Sequence, residues 1–195
     1  MARDRASRPE GRPLRLFVAT DVPAEVRGRL ADAVRPWHAK VEGARWVGPD
    51  NWHVTLKFLG SVDPRLLQWV TDQVRAAAAA GKPFTTALSA LGAFPSPRRA
   101  RVLWAGLEDD PSGAFTELAG TLDGLLEREF EREKRAFTPH LTVARFNVQG
   151  PLPEELLALD IRSKTFPVEH LTLYRSYLQR PAARYEPLER FPLGG

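Results

Sequence analysis

Two short runs carry the chemistry this sequence offers: His53-Val54-Thr55-Leu56 and His140-Leu141-Thr142-Val143. In a β-strand successive side chains point to opposite faces, so each imidazole shares a face with the hydroxyl two residues on. Strict alternation adds Lys57 to the first stripe, which sets imidazole, hydroxyl and ammonium over an apolar backing of Val54, Leu56 and Phe58. One His-x-Thr arises by chance in many chains; two at matching places, each with an apolar half-face behind it, make a pattern. Imidazole titrates near neutrality, so a neutral ring can take a proton from a nucleophile while a charged ring gives one to a leaving group. Threonine hydroxyls can donate to phosphoryl oxygens, and an anionic diester between the rings would favour keeping one of them charged. The expected reaction is metal-free transfer or hydrolysis at a phosphodiester, with base and acid on opposite sides of the phosphorus.

Arg145 fits this scheme less well. Alternation sets it on the face opposite His140, so it reaches a phosphate only if the strand twists or bulges; otherwise it anchors the strand from behind. A third run, His170-Leu171-Thr172-Leu173, is read as a closing strand with an incidental histidine, and His38 follows a helix and is read as surface.

The elements that must position these residues occur twice. Arg15 to Thr20 is a short apolar, β-rich run. Val26, Leu30, Val34 and Trp37 then recur at helical spacing, with Pro36 ending the helix. Trp52 to Leu59 alternates like a strand, Asp63-Pro64 opens a helix bearing Leu66, Leu67, Val70 and Val74, and Phe84 to Leu91 reads as a further strand before a turn-rich loop, 92–99. The order then returns: a strand from Arg101, a helix with Phe115, Leu118, Leu122, Leu125 and Phe130, the His140 strand, a short helix near Pro153, and a closing strand from Thr165 to Leu178. Arg15 lies 38 residues before His53, and Arg101 lies 39 before His140. These observations predict an α+β fold, internally duplicated as β-α-β-α-β units over about 14–94 and 100–178. The two pseudo-symmetric lobes would carry antiparallel sheets with helices outside and a central cleft, all within one bilobal domain, 14–193.

Composition narrows the alternatives. The 195 residues include no cysteine, which excludes disulfides, thiolate ligands and a thiol nucleophile. Half of the net charge of +4 sits in residues 1–13, an Arg/Pro-rich stretch expected to be a disordered tail, so basicity alone does not argue for nucleic acid. No apolar run reaches membrane-spanning length and the start does not read as a secretory signal, so the expected compartment is the cytoplasm. No glycine-rich turn joins a strand to a helix in the dinucleotide or P-loop manner. No cofactor and no metal are expected, and nothing demands more than a monomer.

With its context the paired motif resembles the two-histidine phosphoesterases, and within them the bacterial and archaeal RNA 2′,3′-cyclic phosphodiesterases, the LigT-like 2′–5′ RNA ligases. The similar stretches are Arg15 to Ala19, Trp52 to Gly60, Leu91 to Pro95, Phe137 to Arg145 and Leu173-Tyr174-Arg175-Ser176. The resemblance implies opening of a terminal cyclic phosphate on RNA, tRNA fragments included, to a 2′-phosphomonoester, with reversible 2′–5′ ligation in some relatives. It also implies that His53 is the proton donor, His140 the proton acceptor, and Thr55 and Thr142 the phosphate holders. The residues alone leave donor and acceptor unassigned, because a duplicated site is nearly symmetric.

RNA ends need cations for backbone phosphates and flat groups for unstacked bases. Phe94, Arg98 and Arg99, with Arg101 beside them, make 94–101 the candidate RNA-contacting loop. Three other readings remain open at this point: a module that binds RNA ends without turnover, a metal-dependent phosphoesterase, and the same site acting on a cyclic nucleotide or ADP-ribose cyclic phosphate.

Overall fold

A computed structural model describes residues 11–109, 112–179 and 182–194. The expected disordered tail therefore falls, for residues 1–10, outside the described residues.

Ten strands and four α-helices follow in chain order among them: β1 (Leu14–Asp21), α1 (Ala24–Val34), β2 (Ala44–Trp46), β3 (His53–Val62), α2 (Leu67–Ala80), β4 (Phe84–Thr86), β5 (Leu88–Phe94), β6 (Ala100–Leu107), α3 (Ala114–Leu126), β7 (His140–Gly150), α4 (Glu154–Leu157), β8 (Phe166–Val168), β9 (His170–Tyr177) and β10 (Arg184–Pro192). The helical periodicities are real burial stripes: Val26, Leu30 and Val34 are buried from α1, and Val70, Val74, Ala77 and Ala78 from α2. Asp63 caps the turn before α2 by accepting from the Arg65 amide at 2.9 Å.

The fold is α+β with antiparallel pairing throughout, as the alternation predicts. One sheet runs β10-β9-β1-β3, a second runs β2-β7-β6-β5, and β4 pairs with β8 as a small ladder. The two halves of the chain interleave. The last long strand of the first half, β5, completes the second sheet, while β9 from the second half completes the first. Both four-stranded sheets draw strands from each of the stretches 14–94 and 100–178. Helix α2 packs against β9 and β10, and α3 against β3 and α2, so one continuous apolar core underlies the molecule.

Two strands and one strand end depart from the alternation reading. β2 has only three residues, too few for a period to register. β10 is a charged edge strand, with only Phe191 buried. Gly92 to Phe94 belong to β5 rather than to a loop. Gly92 lies directly opposite Trp104, and a Cβ there would stand 2.2 Å from the indole Cζ2, so glycine is needed for close approach rather than for a turn.

The largest correction concerns Lys57. Along β3, Thr55 pairs with Ala19 and Lys57 with Val18, so Leu56 is an extra, bulged residue. A bulge reverses the alternation beyond it. Lys57 is consequently turned to the back of the sheet, where it is 2% exposed, pairs with Asp123 of α3 and donates to the Glu131 carbonyl at 2.6 Å. Phe58 takes its place on the His53 face. Strand β7 repeats the event at the same place: Thr142 pairs with Trp104 and Ala144 with Leu103, leaving Val143 as the extra residue. The outcome here is the reverse in chemical character, because the bulge brings Arg145 onto the face of His140 and Thr142 and buries Ala144. Both strands thus bulge at the residue after the motif threonine.

Removing one member of a buried ion pair leaves the other uncompensated, which costs about 3 kcal/mol or more. Asp123→Ala should lower stability by that order in urea unfolding, and Lys57→Met should keep the catalytic rate of the folded protein. A Lys57→Met variant that folds but loses turnover would return the ammonium to the site.

Candidate active site

His53 opens β3 directly across from Asp21 at the end of β1, and two rows on Thr55 pairs with Ala19. Phe17, wholly buried, stacks on the imidazole with centroids 4.7 Å apart and on Tyr174 at 5.1 Å, and Tyr185 meets the imidazole edge-on at 5.1 Å. The aromatic wall fixes the ring plane. Asp21 is itself held from three sides: its carboxylate accepts from Arg190 at 2.7 Å, from the Thr172 hydroxyl at 3.3 Å and from the Tyr174 phenol.

His140 opens β7 across from Gly106. Its Nδ1 lies 2.7 Å from the Thr138 carbonyl. A carbonyl only accepts, so in the neutral ring Nδ1 carries the hydrogen and Nε2 keeps its lone pair. Phe94 meets the ring edge-on at 5.1 Å, and Trp104 lies 6.3 Å from it. Arg145 approaches the Thr142 hydroxyl at 3.5 Å.

Strands β3 and β7 approach one another between the sheets. Burial pushes His53 down to about 4; Asp21 and the Asn51 carbonyl pull it up, while Arg145 and His140 push it further down. Burial also lowers His140, opposed by Thr138 and assisted by Arg145. Both imidazoles are therefore neutral near pH 7 in the empty site, and Arg145 lies within electrostatic reach of both. A neutral ring is ready to accept a proton, whereas the donor must gain its proton together with an anion that restores its affinity.

His53 and Thr55 share one face of β3, and His140, Thr142 and Arg145 share one face of β7; His140 and Arg145 act electrostatically on His53, whereas Lys57 lies behind its sheet. Phe94 reaches His140, whereas Arg98 and Arg99 are exposed on the turn 97–99 ahead of β6. Motif reading missed Asp21, which looks like a helix cap, along with Phe17, Tyr174 and Tyr185. Only strand pairing brings these beside His53, and no local spacing signals it. A cavity of roughly 550 Å³ opens beside His53, lined among others by Asp21, Trp52, His170, Tyr174 and Arg190; Thr55, His140, Thr142 and Arg145 lie outside its lining. His170 begins β9 and lies outside the two histidine strands, yet it borders this cavity. Among the described residues no three His, Cys, Asp or Glu side chains converge as a metal-binding set, and no helix is long and apolar enough to cross a membrane.

Comparison with known proteins gives a consistent result. Residues 21–104 match the family model described as LigT like phosphoesterase. The RNA 2′,3′-cyclic phosphodiesterase of Methanothermobacter thermautotrophicus is 32% identical over 92% of this chain and 99% of its own. That of Escherichia coli is 32% identical over 93% and 97%. A Geobacillus stearothermophilus phosphodiesterase of the same name is 30% identical, but the chain spans only 57% of its length. Among solved structures, a Thermus thermophilus protein superposes with a TM-score of 0.78 at 31% identity, covering 93% of this chain and 98% of that one. E. coli LigT complexed with 3′-AMP does so with 0.75 at 30%, covering 94% and 99%.

The depressed affinity of His53 has a consequence for folding. An unfolded histidine binds its proton near 6.5 and the native one near 4, so the unfolded chain holds more protons between those values. Stability is full above about pH 6.5 and declines as the pH falls toward 4. His53→Gln should flatten that decline in urea titrations at pH 7 and 4.5. Equal losses in both proteins would contradict the burial of a neutral ring.

Proposed function

This chain belongs to the LigT-like phosphoesterase family, and from that premise we propose that it is an RNA 2′,3′-cyclic phosphodiesterase. It opens the cyclic phosphate at an RNA end, tRNA fragments included, to leave a 2′-phosphomonoester and a free 3′-hydroxyl. The observation that carries this reading is the matched bulge. It keeps a histidine and a threonine together on each of β3 and β7 and adds one guanidinium, Arg145, to the face of His140 and Thr142.

In the reaction His140 Nε2 takes a proton from water as the water oxygen bonds to phosphorus. The bond from phosphorus to the 3′-oxygen breaks, and protonated His53 supplies the hydrogen that oxygen needs. Thr55 and Thr142 donate to the non-bridging oxygens, whose growing negative charge Arg145 offsets. The diester's own charge raises the affinity of His53, so the acid is loaded when substrate binds. Phe94, Arg98 and Arg99 contact the RNA beyond the terminal nucleotide. The same geometry run with a 5′-hydroxyl in place of water joins two RNA ends through a 2′–5′ linkage. The chain acts as a monomer and without a metal.

Incubation with a short RNA ending in a 2′,3′-cyclic phosphate, followed by location of the product phosphate, tests this directly. His53→Ala and His140→Ala should each reduce turnover by about 10²-fold or more, and His38→Ala should not. Chelator should leave the rate unchanged; loss of activity restored by added metal would overturn the acid–base reading.

A further inference from the structure

We propose that Asp21 is the residue that makes this near-symmetric site directional: its carboxylate, cross-strand from His53 and held by Tyr174, Thr172 and Arg190, commits His53 to donating the proton and leaves His140 to accept one. The inference rests on the phosphodiesterase reading above and adds to it the physical origin of the two roles.

The two histidine strands correspond row by row. His53 faces Asp21 in the first sheet and His140 faces Gly106 in the second; Thr55 faces Ala19, and Thr142 faces Trp104. The carboxylate therefore has no counterpart beside His140, where the matching position has no side chain. The charged and titratable groups facing His53 come from every neighbouring element: Asp21 from β1, Tyr174 and His170 from β9, Tyr185 and Arg190 from β10, His140 and Arg145 from β7. Arg27 of α1, with Asp50 and Glu169, borders the cavity beyond. Asp21 is the carboxylate that registers at His53, and it raises the ring's proton affinity. At His140 the Thr138 carbonyl raises the affinity, and Arg145 lowers it as it also does at His53.

The Asp21 carboxylate is held in place by its donors. Burial and Asp21 push the Tyr174 phenol up, so it remains a donor to the carboxylate, and Thr172 is buried at the same point. When an anionic diester binds, the two rings share one added proton. The Asp21 carboxylate draws it to His53, against the burial that lowers that ring's affinity. Turnover moves that proton to the 3′-oxygen while water's proton goes to His140 Nε2, so the product complex holds a neutral His53 and a charged His140. Exchange with solvent resets the pair.

The test combines ring titration with kinetics. Histidine-¹⁵N-labelled protein saturated with inorganic phosphate is titrated by NMR, with His53→Gln used to assign the signals, and kcat, which reports the groups of the bound complex, is measured against pH on a cyclic-phosphate dinucleotide. In the wild type His53 should titrate above His140. Asp21→Asn should lower His53 by about one unit, a tenfold loss of proton affinity. It should leave His140 in place and move the alkaline limb of the rate profile to lower pH, since that limb reports the acid. Asp21→Glu should restore the limb. Should Asp21→Asn fail to fold, Tyr174→Phe strips one donor from the carboxylate while leaving its charge, and should move His53 upward. Unmoved His53 titration in the folded variants, or a uniform fall in rate with neither limb displaced, overturns the proposal and leaves Asp21 a structural residue. Absence of cyclic-phosphate turnover in the wild type would be a failure of the phosphodiesterase reading, not of Asp21.

Discussion

The bulge that follows the motif threonine in each histidine strand governs which side chains this protein presents to a phosphate. Leu56 in β3 and Val143 in β7 occupy equivalent positions, immediately after the threonine of each motif. A β-bulge re-aims everything beyond it, so the pair of bulges selects Phe58 and Arg145 for the front of the sheets and sends Lys57 and Ala144 to the back. A regular pleat would have given the site a lysine from the first lobe and nothing from the second. The bulged strands give it an arginine from the second lobe, and the first lobe keeps an aromatic surface. Arg145 suits this place, since a guanidinium offers several donors in a fixed plane to phosphate oxygens, where an ammonium acts as a point charge.

Burial then sets the electrostatic terms. The wall of Phe17, Tyr174 and Tyr185 removes His53 from water, which outweighs the neighbouring carboxylate and holds the ring neutral when the site is empty. An anionic ligand adds the charge that the empty site lacks. The catalytic protonation state is therefore a property of the complex, and the site is built to acquire it with its substrate. Interleaving of the sheets gives this arrangement rigidity. Strands β5 and β9 each cross to the other half's sheet, and α3 reaches across to β3 through Asp123 and Lys57. The lysine that alternation assigns to catalysis thus ties a helix to the strand that carries His53.

Much of this was legible in the sequence because it is local. The His-x-Thr pairs, the apolar half-faces behind them, the helical stripes at Val26–Val34 and the recurrence of the whole order need only spacing to be seen. What escaped depends on partners distant in the chain. A bulge exists only relative to the strand opposite, so neither the loss of Lys57 nor the arrival of Arg145 can be read from β3 or β7 alone. Asp21 looks like the cap of α1 until β1 is paired with β3. Gly92 looks like a turn until Trp104 lies against it. The exchange of β5 and β9 between sheets is likewise invisible to a repeat, which shows that two segments are alike but not which neighbours they choose. β10 escaped for another reason: an edge strand rich in charge has no buried face to alternate.

The central claim is that imidazoles from two different strands flank one phosphorus. A crystal structure of the protein with vanadate and a nucleoside bound in the site tests it most directly. The Nε2 atoms of His53 and His140 should then lie within hydrogen-bond distance of opposite apical oxygens, with Thr55, Thr142 and Arg145 on the equatorial ones and Lys57 still behind the sheet. A vanadate held by one histidine alone, or seated in the cavity beside His170 away from His140, would contradict it.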